Sequence, residues 1–322
     1  MSAWSDSTWL ESAHGWIQAE LEHLRLEPAG PIEQPHVRPW STVLRVPTSG
    51  GPVWFKANMG ALSHEAAVVT VLGRRQPDVV PELLAADLTS GWMLMRDGGT
   101  RMRDLDGGLS HWEGMLTRYA ELQIDAAEAR DELLGHAVPD RRLAVFPELY
   151  EELLDDPVAL GEGLPEALTT EDVRRLRGRL PQVRAMCEQL EALGIPETIQ
   201  HDDLHDANVF VRDGRYLFFD WGDSCITHPF LTMTVTLHGV IARLLDPEGG
   251  AGDVSRNRDA YLEPFTRFAP RQQLVDASPA AVDLGVICRG LSWLLVVREL
   301  ESPHRDEWAA SPAQRLRWFL GA

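Results

Sequence analysis

The chain has 322 residues and a formal net charge of −19 at pH 7, from 49 acidic and 30 basic side chains. A chain of this length is too long for one small hydrophobic core. The fractions of apolar (44%) and charged (25%) residues are ordinary for a globular protein and exclude wholesale disorder. The acidic balance argues against nucleic acids and anionic membranes as partners and would attract a cationic substrate, although acidity can also serve solubility alone.

The N-terminal part of the sequence alternates between helix and strand patterns. Apolar residues at helical spacing predict an amphipathic helix over Thr8–Leu24. Ser41–Pro47 and Pro52–Asn58 are rich in strand-forming residues and flank a turn signal at residues 49–51. We therefore expect these two runs to form a β-hairpin.

A further helix and two strands complete this region. Ser63–Leu72 has a helical pattern with Ser63 as the expected N-cap, and Leu83–Leu88 and Trp92–Met95 are strand-like. Two glycines at 98 and 99 then break the pattern. The sequence therefore predicts a small mixed N-lobe over residues 1–98 and a C-lobe over residues 99–322.

Helical patterns dominate the predicted C-lobe. They cover Leu109–Gln123, Asp172–Leu193 with an interruption near proline 181, and most of the chain from residue 230 to 319. Two short strand-like runs, Asn208–Arg212 and Tyr216–Asp220, flank an Asp-Gly turn. The expected class is α+β, with an antiparallel-sheet N-lobe that carries one helix and a larger, mainly helical C-lobe.

The cysteines and the hydropathy bear on the compartment. Cys187, Cys225 and Cys288 are far apart in sequence and form neither a CxxC pair nor a zinc spacing. No unbroken run of 18 apolar residues occurs, so we expect no transmembrane helix. These features predict a reduced, cytoplasmic protein whose cysteines are small core residues.

The strongest chemical signal is the segment from His201 to Asn208, HDDLHDAN. It matches H-x-D-L-x-x-x-N, the catalytic-loop pattern of protein kinases. Asp220 follows twelve residues after Asn208 in an Asp-Trp-Gly triplet, where kinases carry Asp-Phe-Gly. A lone His-x-Asp would be typical of a turn. The full pattern followed by Asp-x-Gly predicts phosphoryl transfer.

Phosphoryl transfer needs these residue types at these positions. Catalysis depends on positioning the reactants and neutralising charge on the phosphate oxygens. Asp203 is the candidate base that accepts the proton of an acceptor hydroxyl. Asn208 and Asp220 offer the amide and carboxylate oxygens that Mg²⁺ prefers, so we predict that they hold Mg²⁺ on ATP.

The predicted N-lobe supplies a matching pair. Lys56 ends the second strand of the predicted hairpin, where kinases place the lysine that contacts the α- and β-phosphates of ATP. Glu65 follows nine residues later, at the start of the next helix. We expect it to pair with Lys56 and orient it.

These motifs resemble those of the aminoglycoside phosphotransferase family, the kinase-like phosphotransferases related to choline and homoserine kinases. The loop of that family reads H-G-D-L-H-x-x-N, and the matching residues here are His201, Asp203, Leu204, His205 and Asn208. The resemblance extends over about residues 30 to 300 and implies a protein-kinase-like fold. It also implies ATP and Mg²⁺ as cofactors and a small-molecule hydroxyl as acceptor.

Two departures from the family and kinase patterns affect the predicted site. The first strands lack a G-x-G-x-x-G turn, so we predict that the backbone amides of Trp40 and Ser41, or the Ser41 hydroxyl, contact phosphate instead. Asp202 replaces the family's glycine. It is either a hydrated loop residue, the interpretation that loop carboxylates favour, or a partner for a cationic group on the substrate.

Further supporting roles are predicted for residues near the motifs. His201 is expected to brace the loop by hydrogen bonds, and Asp223 to contact metal or a substrate amine. Met95 and Asp97 lie where backbone groups would bind adenine.

The acceptor is the open part of the prediction. A cationic amino sugar or amino alcohol is the first candidate because of the net charge. A peptide or protein kinase is an alternative, disfavoured because the segment after Asp220 is short and lacks Ala-Pro-Glu. A nucleotide-binding pseudoenzyme that acts as an interaction module is a second alternative, disfavoured by the intact motif residues. The oligomeric state and the choice between ATP and GTP stay open.

Overall fold

The protein is described from a computed structural model that covers residues 3–249 and 252–321. It forms two compact units. The first comprises Met1–Thr100 with Phe210–Gly222, and the second comprises Arg101–Val209 with Asp223–Ala322. The sequence placed the division at residue 98 and assigned everything after it to the C-lobe, whereas residues 210–222 pack with the first unit. The amide of Phe218 donates to the carbonyl of Val79 at 2.7 Å, which fastens this segment there.

Regular elements make up most of both units. The helices are α1 Ser7–Leu24, α2 Glu65–Arg75, α3 Trp112–Ala126, α4 Arg130–Gly135, α5 Phe146–Asp155, α6 Thr170–Gly178, α7 Leu180–Glu191, α8 Ala242–Leu245, α9 Ser255–Leu262, α10 Arg271–Glu299, α11 His304–Trp308 and α12 Ser311–Phe319. The strands are β1 Glu33–Arg38, β2 Ser41–Val46, β3 Val53–Asn58, β4 Leu83–Asp87, β5 Trp92–Arg96, β6 Thr100–Arg101, β7 Thr198–Gln200, β8 Val209–Arg212, β9 Arg215–Phe218 and β10 Cys225–Thr227. This distribution confirms the predicted α+β class.

The first unit is built on an antiparallel sheet with the strand order β1-β2-β3-β5-β4. The predicted hairpin is present, since β2 pairs with β3 from Ser41 opposite Asn58 to Val46 opposite Val53. Helix α1 covers this sheet through Trp16, whose ring lies 5.7 Å from that of Phe55. Strand β1 was not predicted, because Pro35 in its middle removes a backbone donor and weakens the strand pattern.

The start of helix α2 differs from the prediction. Ser63 was expected to cap it, but the helix begins at Glu65 after a short 3-10 turn at Gly60–Leu62. The Ser63 hydroxyl donates to the carbonyl of Gly60 at 2.7 Å, and so it closes that turn instead of accepting from the helix. As a result, Glu65 occupies the first turn of the helix.

The segment 210–222 is a tight hairpin that leads to Asp220. Asp213 and Gly214 both have positive φ, 52° and 75°, as a two-residue hairpin turn requires. The rings of Phe210 and Phe219 stack with centroids 4.2 Å apart. An added Cβ on Gly98 would lie only 2.4 Å from Phe210 Cδ2, so this glycine allows the close approach of the hairpin.

Helix α10 is the centre of the second unit and packs against α7 and α12. It is long and apolar enough to span a membrane by length and composition, and 67% of its apolar window is buried inside the protein. The search for an unbroken run of 18 apolar residues did not detect this helix, because charged residues interrupt its apolar run. Cys187, Cys225 and Cys288 are all free and buried, as predicted.

Candidate active site

In the first unit, Lys56 is held between two carboxylates. It lies on β3 and is 4% exposed. Its Nζ lies 2.7 Å from Glu65 Oε2 and 2.5 Å from Asp220 Oδ1. Burial alone would lower the pKa of Lys56, but the charges of Asp220 and Glu65 outweigh burial and raise it. Lys56 is therefore a permanent, fixed cation.

Glu65 is itself held in place by three donors, two of them on strand β3. In addition to Lys56, it accepts a hydrogen bond from Asn58 Nδ2 and one from the backbone amide of Trp221, the latter at 3.0 Å. These contacts fix the carboxylate while it is 1% exposed. The orienting partner predicted for Lys56 is thus rigidly placed.

Asp220 follows strand β9 in the left-handed region, with φ 67°. This backbone conformation is uncommon for residues other than glycine, and aspartate tolerates it better than most. The side chain is 46% exposed, in contrast to that of Glu65. A Cβ on Gly222 would lie 3.3 Å from Leu62 Cβ, which accounts for the glycine of the Asp-Trp-Gly triplet.

The residues predicted to contact adenine and phosphate lie elsewhere on the same sheet. Ser41 is buried at the start of β2, opposite Asn58. Met95 pairs with Trp54 near the end of β5. Just beyond β5, the Asp97 carboxylate accepts from Trp54 Nε1 at 2.9 Å, and its carbonyl accepts from Arg212 at 3.0 Å. A carbonyl has a second lone pair, so the expected backbone role of Asp97 stays a prediction.

In the second unit, the loop from residue 201 to 208 folds on itself. The amide of Asp203 donates to His201 Nδ1 at 3.4 Å, and the amide of His201 donates to the Tyr119 hydroxyl at 2.9 Å. Asn208 Nδ2 donates to the carbonyl of Asp203 at 3.1 Å. This contact uses the amide nitrogen of the Asn208 side chain. Asp203 does not engage the amide oxygen, which is the atom that a hard metal ion would bind.

His205 stabilises the same loop. Its Nδ1 accepts from the amide of Ala207 at 3.1 Å and caps the short turn that ends in Asn208. Its Nε2 lies 3.7 Å from Asp203 Oδ2. The carbonyl of the intervening Leu204 accepts from the Thr236 hydroxyl at 2.9 Å, which anchors the loop to the helical body.

A buried arginine that the sequence analysis did not single out contacts the candidate base. Arg289, on α10, lies with Nη2 2.9 Å from Asp203 Oδ1 and with Nη1 3.0 Å from Asp223 Oδ2. Burial would raise the pKa of Asp203, but the charge of Arg289 and contacts with His205 outweigh burial and lower it. Asp203 is therefore ionised at every pH near neutrality.

Asp223 has the opposite electrostatic environment. Burial and the nearby charges of Asp203 and Asp202 raise its pKa to about 6, despite the attraction of Arg289. Three carboxylates thus share one guanidinium, since Asp202 Oδ2 also lies 3.9 Å from Arg289 Nη1. Of Asp203 and Asp223, the one with the lowered pKa is Asp203, which the loop motif designates as the base.

Asp202 is not a hydrated loop residue, which corrects the favoured interpretation of the sequence. It is 1% exposed and has φ 60°, a conformation that fits the glycine found here in the family pattern. Its carboxylate accepts from the Ser292 hydroxyl and lies 3.5 Å from Arg141 Nη1. Arg141 also donates to Ser292 Oγ at 2.6 Å. Asp202 therefore connects the loop to α10.

Sequence reasoning missed several residues that build these two groups. Arg289 had a usable signal, because a lone arginine in the apolar run of residues 284–297 is typical of a buried, paired charge. Arg141 had none, since it comes from a loop remote in sequence. The described residues contain no cluster of three or more His, Cys, Asp or Glu side chains that could hold a metal by themselves. A site that completes its ligands with phosphate and water, as Mg²⁺ sites do, fits this finding.

Comparison with known proteins identifies the family. Residues 41–271 match the family model described as the phosphotransferase enzyme family, APH. A search of curated proteins gave no match.

Several solved structures share the fold. A macrolide 2′-phosphotransferase type I has a TM-score of 0.59 at 14% identity, over 93% of this chain and 96% of that one. An ethanolamine kinase from Plasmodium vivax has a TM-score of 0.59 at 10% identity, over 97% and 89%. A choline kinase from Cryptosporidium parvum has a TM-score of 0.58 at 14% identity, over 90% and 89%. These similarities confirm the kinase-like fold.

Proposed function

The chain belongs to the phosphotransferase enzyme family, and we propose that it transfers the γ-phosphate of ATP, with Mg²⁺, to a hydroxyl of a small molecule. The observation that carries the proposal is the ion pair between Lys56 on β3 and Glu65 on α2. Kinases use a lysine–glutamate pair on equivalent elements to hold the phosphates of ATP. Packing alone does not explain a lysine buried among carboxylates, because burying an ion pair gains little stability.

The remaining assignments follow from the residues of each unit. Asp220 and Asn208 carry the oxygen atoms that would hold Mg²⁺, and Lys56 would contact phosphate oxygens. When bound, Mg²⁺ would supply neutralisation of the charge on the phosphates. Ser41, Met95 and Asp97 remain the proposed contacts for phosphate and adenine.

The proposed reaction is a balanced displacement at phosphorus. The acceptor oxygen forms a bond to the γ-phosphorus, while the bond from that phosphorus to the β–γ bridging oxygen breaks. ADP leaves with the electron pair of that bond. The hydroxyl proton passes to the carboxylate of Asp203, whose Oδ1 accepts from Arg289 and whose Oδ2 lies 3.7 Å from His205 Nε2.

The lowered pKa of Asp203 fits this chemistry. A strongly ionised carboxylate is a poor base for removing a proton early from an alcohol. In a loose transition state, however, the proton leaves late, when the attacking oxygen is already bonding to phosphorus and is strongly acidic. Asp203 then acts mainly by orienting the hydroxyl and by receiving the proton at the end.

The alternative functions and acceptors predicted from the sequence have less support. After Gly222 the chain enters β10 and then a short helix at Pro229–Thr232, which leaves little room for the long activation segment of a protein kinase. A cationic acceptor, expected from net charge, stays a prediction. The side chains around Asp203 favour a different class of acceptor.

The proposal is tested by separating ATP binding from transfer in two variants. Lys56→Met should weaken ATP affinity and lower turnover by about 10²–10³-fold, because a preorganised cation on the phosphates is lost. Asp203→Asn should bind ATP normally and lose about 10²–10⁴-fold in turnover. Calorimetry with Mg²⁺-ATP and an ADP-release assay measure the two effects.

Arg45→Met is the matched control, since Arg45 lies on the neighbouring strand β2 and pairs with Glu33 at the surface. It should change neither quantity. ATP affinity that is unaffected by Lys56→Met would contradict the proposed nucleotide site. Full turnover in Asp203→Asn would contradict the proposed base.

A further inference from the structure

The side chains packed around Asp203 include an unmatched positive charge. Helix α12 crosses α10 at Gly290, where an added Cβ would lie 3.5 Å from Arg315 Cβ. Arg315 therefore packs beside the residue that follows Arg289. Two arginines from two helices thus converge on the same region of the second unit as the candidate base.

Arg315 has no acidic partner in the described parts of the chain, residues 3–249 and 252–321. Its guanidinium stands over the ring of Trp318, 4.1 Å from the centroid, and its Nε is buried without a hydrogen-bond acceptor. Burial and the positive charge of Arg289 lower its pKa to about 10, despite the attraction of Asp202 and Asp203. A half-buried guanidinium that no carboxylate contacts directly is able to bind the anionic group of a ligand.

The nearby carboxylates of the described residues form their ion pairs with arginines other than Arg315. Asp202 is occupied by Arg141 and Ser292. Asp203 and Asp223 share Arg289. Among the described residues, no carboxylate forms an ion pair with Arg315 or with the exposed Arg243 on α8. The guanidinium of Arg315 is therefore open to an anionic ligand, although the whole chain has a net charge of −19.

Aromatic surface lies next to the same arginines. The Arg289 guanidinium stands 5.5 Å from the centroid of the Trp293 ring. Trp293 in turn stacks on Trp308 of α11, with centroids 5.1 Å apart and planes 8° from parallel. Half-buried indole faces beside guanidinium groups suit a ligand that has both an anionic group and a flat or apolar body.

We propose that the acceptor is an organic anion, a hydroxyl compound whose carboxylate or phosphate group binds Arg315 and Arg289 and whose hydroxyl faces Asp203. This inference rests on the proposed function, because it names the acceptor class of the same site. It replaces the cationic acceptor that net charge suggests. Arginine is suited to the role, since its planar fork matches both carboxylate and phosphate oxygens.

The test uses probes that share a hexose body and differ in charge: glucuronate, glucose 6-phosphate, glucose and glucosamine. Binding is measured by calorimetry in the absence of nucleotide, and turnover by ADP release. We expect glucuronate or glucose 6-phosphate to be preferred at least about tenfold over glucose and glucosamine, the factor of one hydrogen bond to a charged group. The preferred anion distinguishes a carboxylate site from a phosphate site.

The variant Arg315→Met should abolish this preference by raising the Kd and KM of the anionic probe with little change in kcat, and Arg315→Lys should restore part of it. Arg315 is chosen because Arg289 also holds Asp203. Arg174→Met is the matched control, since Arg174 pairs with Glu171 on the exposed face of α6. It should have no effect.

Each outcome supports or overturns the anionic acceptor. Equal or better binding of glucose or glucosamine, absence of binding by both anionic probes, or indifference to Arg315→Met would overturn it. Anion binding that depends on Arg315 without any ADP release would support the anion site and count against the phosphotransferase proposal. Turnover restricted to glucosamine would support the phosphotransferase and overturn the anionic acceptor.

Discussion

At the scale of single residues, the carboxylate of Asp202 ties the candidate catalytic loop to helix α10. It is buried against Ser292 and Arg141, and Arg141 is itself only 3% exposed. Removing one charge of a buried pair leaves the other uncompensated. Asp202→Asn should therefore lower the free energy of unfolding by about 3–5 kcal/mol, measured by urea denaturation.

Asp213→Asn is the control for this change. Asp213 also has positive φ, but its side chain is 88% exposed at the tip of the β8–β9 hairpin. The same substitution there should have almost no effect on stability. Similar losses in both variants would show that the buried pair with Arg141 contributes nothing.

The pKa of Asp223 predicts a pH dependence of stability. Its folded-state pKa, about 6, lies above the ordinary aspartate pKa of 3.8, so the folded protein binds this proton more tightly than the unfolded chain does. The stabilisation is complete below pH 4 and is lost as the pH rises through about 6. Asp203, Asp202 and Arg289 are the charged groups that act on it.

Between pH 4 and 7, the stability of the wild type relative to Asp223→Asn should fall by on the order of 2 kcal/mol. Denaturant titrations of both proteins across this range measure the difference. The comparison removes the contribution of all other titrating groups. A difference that does not vary with pH would contradict the raised pKa.

The residues of the site differ in how far sequence could predict them. Lys56, Glu65 and Asp220 lie at fixed positions relative to strands and a helix, so a motif locates them, and the structure places them within hydrogen-bonding distance. Arg289 and Arg141 act through tertiary contacts between segments far apart in the chain. Side chains of this kind follow from packing and leave no local pattern.

At the scale of elements, the packing of α10 depends on a glycine. A Cβ on Gly285 would lie 1.9 Å from Thr234 Oγ1 and 2.7 Å from the carbonyl oxygen of Leu231. The backbone oxygen cannot move away freely. Gly285→Ala should therefore destabilise the protein by about 1–3 kcal/mol in thermal or urea unfolding.

Gly15→Ala provides the matched comparison within a helix. Gly15 lies in α1, is exposed and has nothing within 4 Å of an added Cβ. Alanine should stabilise the protein there by about 0.5–1 kcal/mol, because glycine loses more backbone entropy on helix formation. Effects of the same sign at the two positions would contradict the close approach at Gly285.

Element prediction succeeded where local pattern and packing agree. Strands β2 and β3 are rich in strand-forming residues and are joined by a glycine turn, so their pairing could be predicted from sequence. Strand β1 could not, because it pairs with β2 despite containing Pro35. The grouping of residues 210–222 with the first unit also lies beyond sequence patterns, since it depends on a tertiary hydrogen bond from Phe218 to Val79.

At the scale of the whole molecule, net charge is a poor guide to the charges that a ligand would meet near Asp203. The excess of acidic residues suggested a cationic acceptor, whereas the residues packed around Asp203 leave Arg315 without an acidic partner in the described chain. Electrostatic interactions across a folded protein are screened within about 10 Å at moderate salt, so nearby guanidinium groups outweigh distant surface carboxylates. The family and the kinase-like fold do not specify this local charge.

The central claim is that the chain transfers the γ-phosphate of ATP to a small-molecule hydroxyl with Asp203 as the base. The most direct measurement incubates the protein with Mg²⁺ and ATP labelled at the γ-phosphate, together with the anionic acceptors and a small-molecule cell extract, and follows the label by chromatography and mass spectrometry. The account predicts label in a phosphate ester of a small molecule for the wild type and almost none for Asp203→Asn. Label in protein, label released only as inorganic phosphate, or equal transfer by both proteins would contradict it.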